Sequence, residues 1–280
     1  MSLTSLYSCE KGEPDENGTS DRLKVASYNI EYDNKSNWAG RKALVGELFS
    51  RYNFDLVGVQ EPFSRQITDI MGLLPEYAYF GSNVLGTTND GVLSNLIIYK
   101  RSRFEVLDSG KFWYSETPEI SSKGWDAGQY RICVWVKFKD KRTGKEFYHF
   151  NSHFDNTGVV AREESAKLLL SRIKAVAQDY PVIATGDFNA SQSSEAYRIL
   201  SSSVFCGDSY KWSLQKDNSN WGTYNNYVYS ASPGSSTRID HLFFSPNNST
   251  ISYWKVANDA FSGKYPSDHF PVVAYWVMSK

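Results

Sequence analysis

Residues 146–190 constrain the fold most tightly, because they read as strand, helix, strand. Residues 146–154, EFYHFNSHF, alternate as a strand. Phe147, His149, Asn151 and His153 share one of its faces, with Asp155 in phase if the chain stays extended. Residues 160–177 have the clearest amphipathic helical spacing, with Ala161, Ala166, Leu169, Leu170, Ile173 and Val176 on one stripe. In PVIATGDFNA, residues 181–190, three successive apolar residues make 182–185 a short strand covered on both faces. Gly186 is expected to break that strand, and Asp187 and Asn189, two apart, to point the same way beyond it. A turn in which Asp and Asn bond their own backbone fits the same letters.

The rest of the chain repeats the theme. KVASYNIE, residues 24–31, puts Ala26, Tyr28 and Ile30 on one face; Val25, Ser27, Asn29 and Glu31 share the other, which turns polar towards the end. FDLVGVQE, residues 54–61, is apolar until Gln60 and Glu61. YRICVWVKFK, residues 130–139, starts with Arg131 on a face that soon becomes apolar. Further strands are expected at 77–80, 95–99, 104–114, 238–245, 251–257 and 270–277, and helices at 38–52, 64–74 and 194–200. Polar loops fill 83–94, 115–129 and 213–236, the last with a hairpin. No repeat or linker divides residues 23–280, which read as one domain.

Composition excludes some roles. A formal net charge of −1 gives no global basic field, which argues against tight or processive nucleic-acid binding. No apolar run reaches the ~18 residues of a membrane span. Cys9, Cys133 and Cys206 lie too far apart for a zinc spacing or a disulfide framework. Residues 1–22 read as a flexible tether, in which Met1-Ser2-Leu3 would be a scar replacing a lost leader only under the lipoprotein reading that follows. Leu6-Tyr7-Ser8-Cys9 resembles the cleavage end of a bacterial lipoprotein signal. That resemblance implies an extracytoplasmic, membrane-anchored protein; a chance cysteine in an ordinary start leaves a cytoplasmic one.

Strands that are apolar in the middle thus finish, or begin, on particular polar residues: Asn29 and Glu31, Glu61, His153, Asp187 and Asn189, Asp240, and Asp268 with His269, plus the cation Arg131. One such terminus means little, since loops carry polar residues. So many acids, amides and histidines point to a single site at one edge of the sheets.

The motifs SYNIE, VGVQEP, NSHFDN, TGDFN, RIDHLFFS and PSDHFPV, in that order, resemble those of the endonuclease/exonuclease/phosphatase superfamily over roughly residues 24–277. The resemblance implies a bacterial member with a DNase I-like α/β fold: a four-layer α/β/β/α sandwich of two packed mixed β-sheets flanked by helices. It also implies hydrolysis of phosphate esters with Mg²⁺, or Mn²⁺ in its place. In that reading Glu61, Asn29 and Asp268 hold the metal. Asp187 activates the water, and Asn189 and His153 contact the phosphate. His269, paired with Asp240, stabilises charge or protonates the leaving oxygen. Arg131 and Asn156 bind substrate. Glu31 is left open between a role near the metal and an exposed acid, and His149 and His241 are assigned none.

The shared motifs leave the substrate open. The loops are rich in Trp, Tyr and Asn rather than Lys and Arg, which favours a monomeric phosphodiesterase or phosphatase acting on small esters. A nuclease on DNA or RNA is the alternative, and a non-catalytic binding module on the same scaffold ranks lower.

Overall fold

Two strand–helix–strand units set the architecture. In the computed structural model, the described residues are 21–33, 37–87, 91–234 and 237–279. The first half of the chain forms β1 (Arg22–Asn29), α1 (Trp38–Tyr52), β2 (Leu56–Gln60), α2 (Ser64–Leu73), β3 (Tyr77–Asn83), β4 (Ser94–Lys100), β5 (Phe104–Trp113) and β6 (Ile132–Asp140). Then come β7 (Glu146–His153), α3 (Val159–Ala177), β8 (Val182–Asp187), α4 (Glu195–Ser201), β9 (Gly207–Asp208) and α5 (Ser209–Trp212). The last strands are β10 (Gln215–Asp217), β11 (Asp240–Phe244), β12 (Ser249–Val256) and β13 (Val272–Met278).

The seven-stranded sheet has the order β10-β12-β13-β1-β2-β4-β3, and the six-stranded sheet β5-β6-β7-β8-β11-β9. Both are mixed. β1 and β2 run parallel around α1, and β7 and β8 run parallel around α3, as helical crossovers require. The layers follow from side-chain alternation. Val25, Leu56, Val134, Ile183 and Trp276 lie in the core between the sheets. Ala26, Tyr28, Val57 and Val59 turn the other way, against Val45, Leu48 and Phe49 of α1. Phe150, Ala184 and Phe243 face Ala166, Leu169 and Ile173 of α3. The result is the expected four-layer α/β/β/α sandwich.

Between the sheets, the apolar core gives way to a buried polar belt towards one edge. Asn151 donates to Val59 O at 2.9 Å and Leu96 O at 2.8 Å. Its Oδ1 accepts from Gln60 at 2.7 Å and Thr185 at 3.0 Å. His149 Nε2 lies 2.9 Å from Thr185 Oγ1. Gly58 is what lets the sheets approach here: a Cβ on it would sit 1.9 Å from Thr185 Oγ1 and 2.5 Å from Asn151 Oδ1.

Several expected boundaries move. Gly186 does not break β8; it pairs with Ser152 and His241 inside the sheet, so Asp187 is the last strand residue. β1 stops at Asn29, and β6 starts only after Arg131. Residues 213–236 hold no hairpin among those described; β10 instead runs parallel to β12. β1 begins at Arg22, within the expected tether. Cys9 and residues 1–20 lie outside the described residues. No helix among the described residues is long and apolar enough to cross a membrane.

Candidate active site

The polar belt opens into a cleft of about 600 Å³ at the sheet edge. Sheet register brings the residues there. In β8, Asp187 pairs with His153 of the parallel β7 on one side and with Asp240 of the antiparallel β11 on the other. Three strand termini from distant sequence therefore share one row. Glu61, Arg131, His153, Asn156, Asp187, Asn189, Asp268 and His269 all line the cleft. Asn29 and Asp240 are buried and do not line it; each is hydrogen-bonded to a residue that does, Asn29 to Asp187 and Asp240 to His269.

Just past the ends of three strands, the backbone enters the left-handed region at non-glycine residues: Glu31 (φ 53°), Glu61 (φ 75°) and Asn189 (φ 46°). Such conformations cost about 1–3 kcal/mol each and cluster at functional sites. Each turns a side chain that strand alternation alone would misplace. Asn29 and Glu31 accordingly do not share a strand face: Glu31 N–H donates to Asn29 Oδ1 at 3.0 Å. Asn29 Nδ2 donates to Asp187 Oδ2 at 3.0 Å, so both ends of this amide are engaged within the site. Asn189 N–H donates to Asp187 Oδ1 at 2.9 Å, so the aspartate does form a turn on its own backbone. The Asn189 side chain donates one amide hydrogen to Phe154 O at 3.0 Å and keeps a second.

Charge follows from burial and pairing. His269 Nδ1 lies 2.8 Å from Asp240 Oδ2, and its Nε2 lies 3.9 Å from Asp187 Oδ2. Burial alone would push this imidazole down, but Asp240, Asp187 and Asp268 together lift it to about 10, so it is cationic at neutral pH. Burial, then the Asp240 charge, raises the Asp187 carboxyl to about 7 against the opposing pull of His269. His153 Nε2 sits 3.6 Å from Asp187 Oδ2 and 3.9 Å from Glu61 Oε1. Burial, and after it the Arg131 and His269 charges, hold His153 well below its usual value, hence neutral.

Arg131 is buried, with Nη2 donating to Asn156 Oδ1 at 3.2 Å and Nε 3.5 Å from Asp155 Oδ2. Asp155, given no firm role by the sequence, is a hub. It accepts from the backbone of Gly128, Gln129, Thr157 and Gly158, tying loop 115–129 to the end of β7. Burial alone would raise its carboxyl; the N–H groups of Gly158, Gly128 and Thr157, with the Thr157 hydroxyl, outweigh burial and hold it well below the ordinary range. The segment DNTG carried the signal, since an Asp followed by Asn, Thr and Gly favours such backbone-bonded turns.

The cleft also has members that sequence reasoning missed or left open: Glu31, Tyr32, Phe63, Gln129 and Tyr224. Tyr32 and Phe63 pack at 5.5 Å, and the half-exposed Tyr224 ring lies 5.1 Å from the His269 ring. Each of the three long loops reaches the cleft, through Leu93, Gln129 and Tyr224.

The donor set fits a hard divalent cation. Glu31, Glu61 and Asp268 face the cleft together. Burial first, then the Glu31 and Glu61 charges, raises the Asp268 carboxyl to about 6, the mark of acids crowded without enough positive charge. Asp187, Asp240 and His269 also bring ligand atoms within 4.8 Å of one another. A cation among those three would have to compete with the short His269–Asp240 bond, so the oxygen-only set is the better one.

Comparison with known proteins agrees with this geometry. The Endonuclease/Exonuclease/phosphatase family profile matches residues 26–269. The structure is similar to an endonuclease/exonuclease/phosphatase family protein from Bacteroides thetaiotaomicron (TM-score 0.86, 36% identity, covering 92% of this chain and 98% of that one). It is also similar to a mannosyl-6-phosphatase from the same organism (TM-score 0.85, 36% identity, covering 91% of this chain and 100% of that one). An uncharacterized protein of Acanthamoeba polyphaga mimivirus is 27% identical over 278 residues, 90% of this chain and 98% of the relative. The chain belongs to the endonuclease/exonuclease/phosphatase family, whose members are hydrolases of phosphoesters.

Proposed function

We propose that this chain is a divalent-metal-dependent hydrolase of small phosphate esters, with Asp187 and the His269–Asp240 pair as its proton-handling groups. The observation that carries the reading is the row His153–Asp187–Asp240, with His269 bonded to Asp240, meeting the acids Glu61, Asp268 and Glu31 in one cleft. Glu61 and Asp268 would hold Mg²⁺ or Mn²⁺, while Asn29, expected from the sequence among the metal's holders, would act by orienting Asp187 and Glu31. When bound, such an ion supplies Lewis-acid stabilisation of charge on the phosphoryl oxygens.

The chain's own residues do the rest. Asp187, lifted into the neutral range, takes a proton from water as the water oxygen bonds to phosphorus and the bond to the leaving oxygen breaks. His269 carries a proton and a positive charge next to Asp187, available to the leaving oxygen or to the charge built up in the transition state. Neutral His153 and the spare hydrogen of the Asn189 amide donate to phosphoryl oxygens, and Arg131, braced by Asn156 and Asp155, clamps another.

Two features support a small ester over a polymer. Arg131 is the one Lys or Arg among the described residues lining the cleft, whereas a nucleic acid presents a charge at every step. The rim carries the aromatic rings of Tyr32, Phe63 and Tyr224 instead, suited to a compact carrier. The neighbour whose name is mannosyl-6-phosphatase makes hexose phosphates the first substrates to try.

The test is a substrate panel with Mg²⁺, Mn²⁺ and EDTA arms. It contains hexose phosphates, inositol phosphates, bis-p-nitrophenyl phosphate, sphingomyelin, RNA, and single- and double-stranded DNA. Turnover of one of the small esters, abolished by EDTA, is expected. Turnover confined to nucleic acids would contradict the small-ester reading, and turnover of nothing would favour a binding module.

A further inference from the structure

Glu31 is the acid whose role the motifs leave open, and its surroundings are more elaborate than those of an exposed carboxylate. It is buried, at left-handed φ, and lines the cleft. Its backbone carbonyl accepts from Arg41 Nη2 at 3.1 Å and from Gln66 Nε2 at 2.8 Å. Its Oε2 accepts a 2.5 Å hydrogen bond from the Tyr227 hydroxyl and lies 3.7 Å from Arg41 Nη2. An O–H···O⁻ bond of this length is charge-assisted and directional. The Tyr227 hydroxyl is the donor in this bond.

Tyr227 comes from residues 223–227, a strap clasped over the segment Ser267-Asp268-His269. Asn225 N–H and Asn226 N–H both donate to Asp268 O, at 2.7 and 3.1 Å. Asn225 Nδ2 donates to Ser267 O at 3.2 Å, and Phe270 N–H to Thr223 O at 2.7 Å. Thr223 Oγ1 accepts from the backbone of Ile239 at 3.0 Å and Asp240 at 3.1 Å. Asn226 (φ 47°) and Tyr227 (φ 55°) are consecutive left-handed residues, neither of them glycine. Tyr227 N–H donates to Asn225 Oδ1 at 2.8 Å and helps hold the turn. The strained pair turns the chain off the Asp268 segment and brings the phenol to Glu31. That strain needs a reason beyond local packing, and the hydrogen bond to Glu31 supplies one.

We propose that Tyr227 is a positioning residue for Glu31: by fixing Oε2 it holds the carboxylate in the cleft that Glu61 and Asp268 also line, where the three acids would together hold a cation. The inference rests on the metal reading above, and it adds Glu31 to the acids that set cation affinity. Outer partners that orient a metal-binding group commonly contribute 10–100-fold in affinity.

The experiment is Mn²⁺ titration of the full chain, stripped of metal, followed by electron paramagnetic resonance and without substrate. Tyr227→Phe, which removes one oxygen, is expected to raise the Mn²⁺ dissociation constant roughly 10-fold. Glu31→Gln should raise it at least as much. The double variant should be no worse than Glu31→Gln, because both changes act through one carboxylate. Asn226→Val, which disfavours the left-handed turn but keeps the phenol, should weaken binding like Tyr227→Phe; Asn226→Gly should retain it. Thermal unfolding of each variant separates loss of the site from loss of the fold. Folded Tyr227→Phe protein binding Mn²⁺ as tightly as wild type would overturn the proposal while leaving the metal reading intact, and so would full additivity with Glu31→Gln. Failure of the wild type itself to bind Mn²⁺ would overturn both.

Discussion

All four histidines are buried, yet their surroundings set their charges apart. His269 is lifted by carboxylates, His153 is held down by burial and neighbouring cations, and His149 and His241 have no carboxylate to offset their burial. His241 Nε2 lies 2.8 Å from Ala190 O, a carbonyl that can only accept, so Nε2 carries the proton and Nδ1 is bare. The Nδ1 of His149 and of His241 is buried without a hydrogen-bond partner among the described residues. Burial pushes both rings to about 3. The sign follows directly: unfolding exposes a ring that binds a proton below about 6.5, whereas the folded ring binds one only near pH 3. Each therefore contributes stability that is fully present above pH 6.5 and is lost as the pH falls through this window. For His149 the loss is on the order of 5 kcal/mol at most. Urea unfolding at pH 4.5 and 7.5 should show a smaller pH difference for His149→Gln than for wild type. Equal differences would mean that the ring is not the buried neutral group described.

At the scale of elements, most of the architecture was legible because apolar alternation marks strands and a 3.6-residue stripe marks helices. The strand–helix–strand of β7, α3 and β8 was readable to within a residue or two. What failed was local chemistry that the sheet overrides. Gly186 looked like a breaker, yet a glycine flanked by paired strands is held in the ladder, and its missing Cβ leaves room for Ser152 O and the Phe188 ring. Glu31 and Glu61 looked like in-phase strand residues, but their left-handed backbone redirects them, and no letter pattern announces that at a glutamate. Tyr227 was invisible for a different reason. Its partner is 196 positions away, and a tyrosine in an Asn-rich loop carries no signal of that contact. Gly58 was read only as a letter in an apolar strand, yet it sets the spacing of the two sheets beneath the site. Gly58→Ala would drive a methyl group into Thr185 and Asn151. It should cost about 1–3 kcal/mol or more, as overpacking does. Thermal denaturation of the variant measures this; an unchanged midpoint would show that the sheets can separate freely at the polar belt.

For the molecule as a whole, two sheets with helices on their outer faces leave one edge of the inter-sheet layer open, and the polar ends of β1, β2, β7, β8 and β11 meet there. The net charge of −1 and the single guanidinium among the described lining residues are what the proposed reading, a site for one phosphate on a small ester, requires. The central claim is that proton transfer in this cleft depends on Asp187 and on His269 paired with Asp240. It is tested most directly by the Mg²⁺-dependent hydrolysis rate on whichever panel ester the wild type turns over fastest, measured for wild type, Asp187→Ala and His269→Ala. Each variant should remain folded and lose roughly 10²–10⁴-fold in kcat. Wild-type rates in both folded variants would contradict the account.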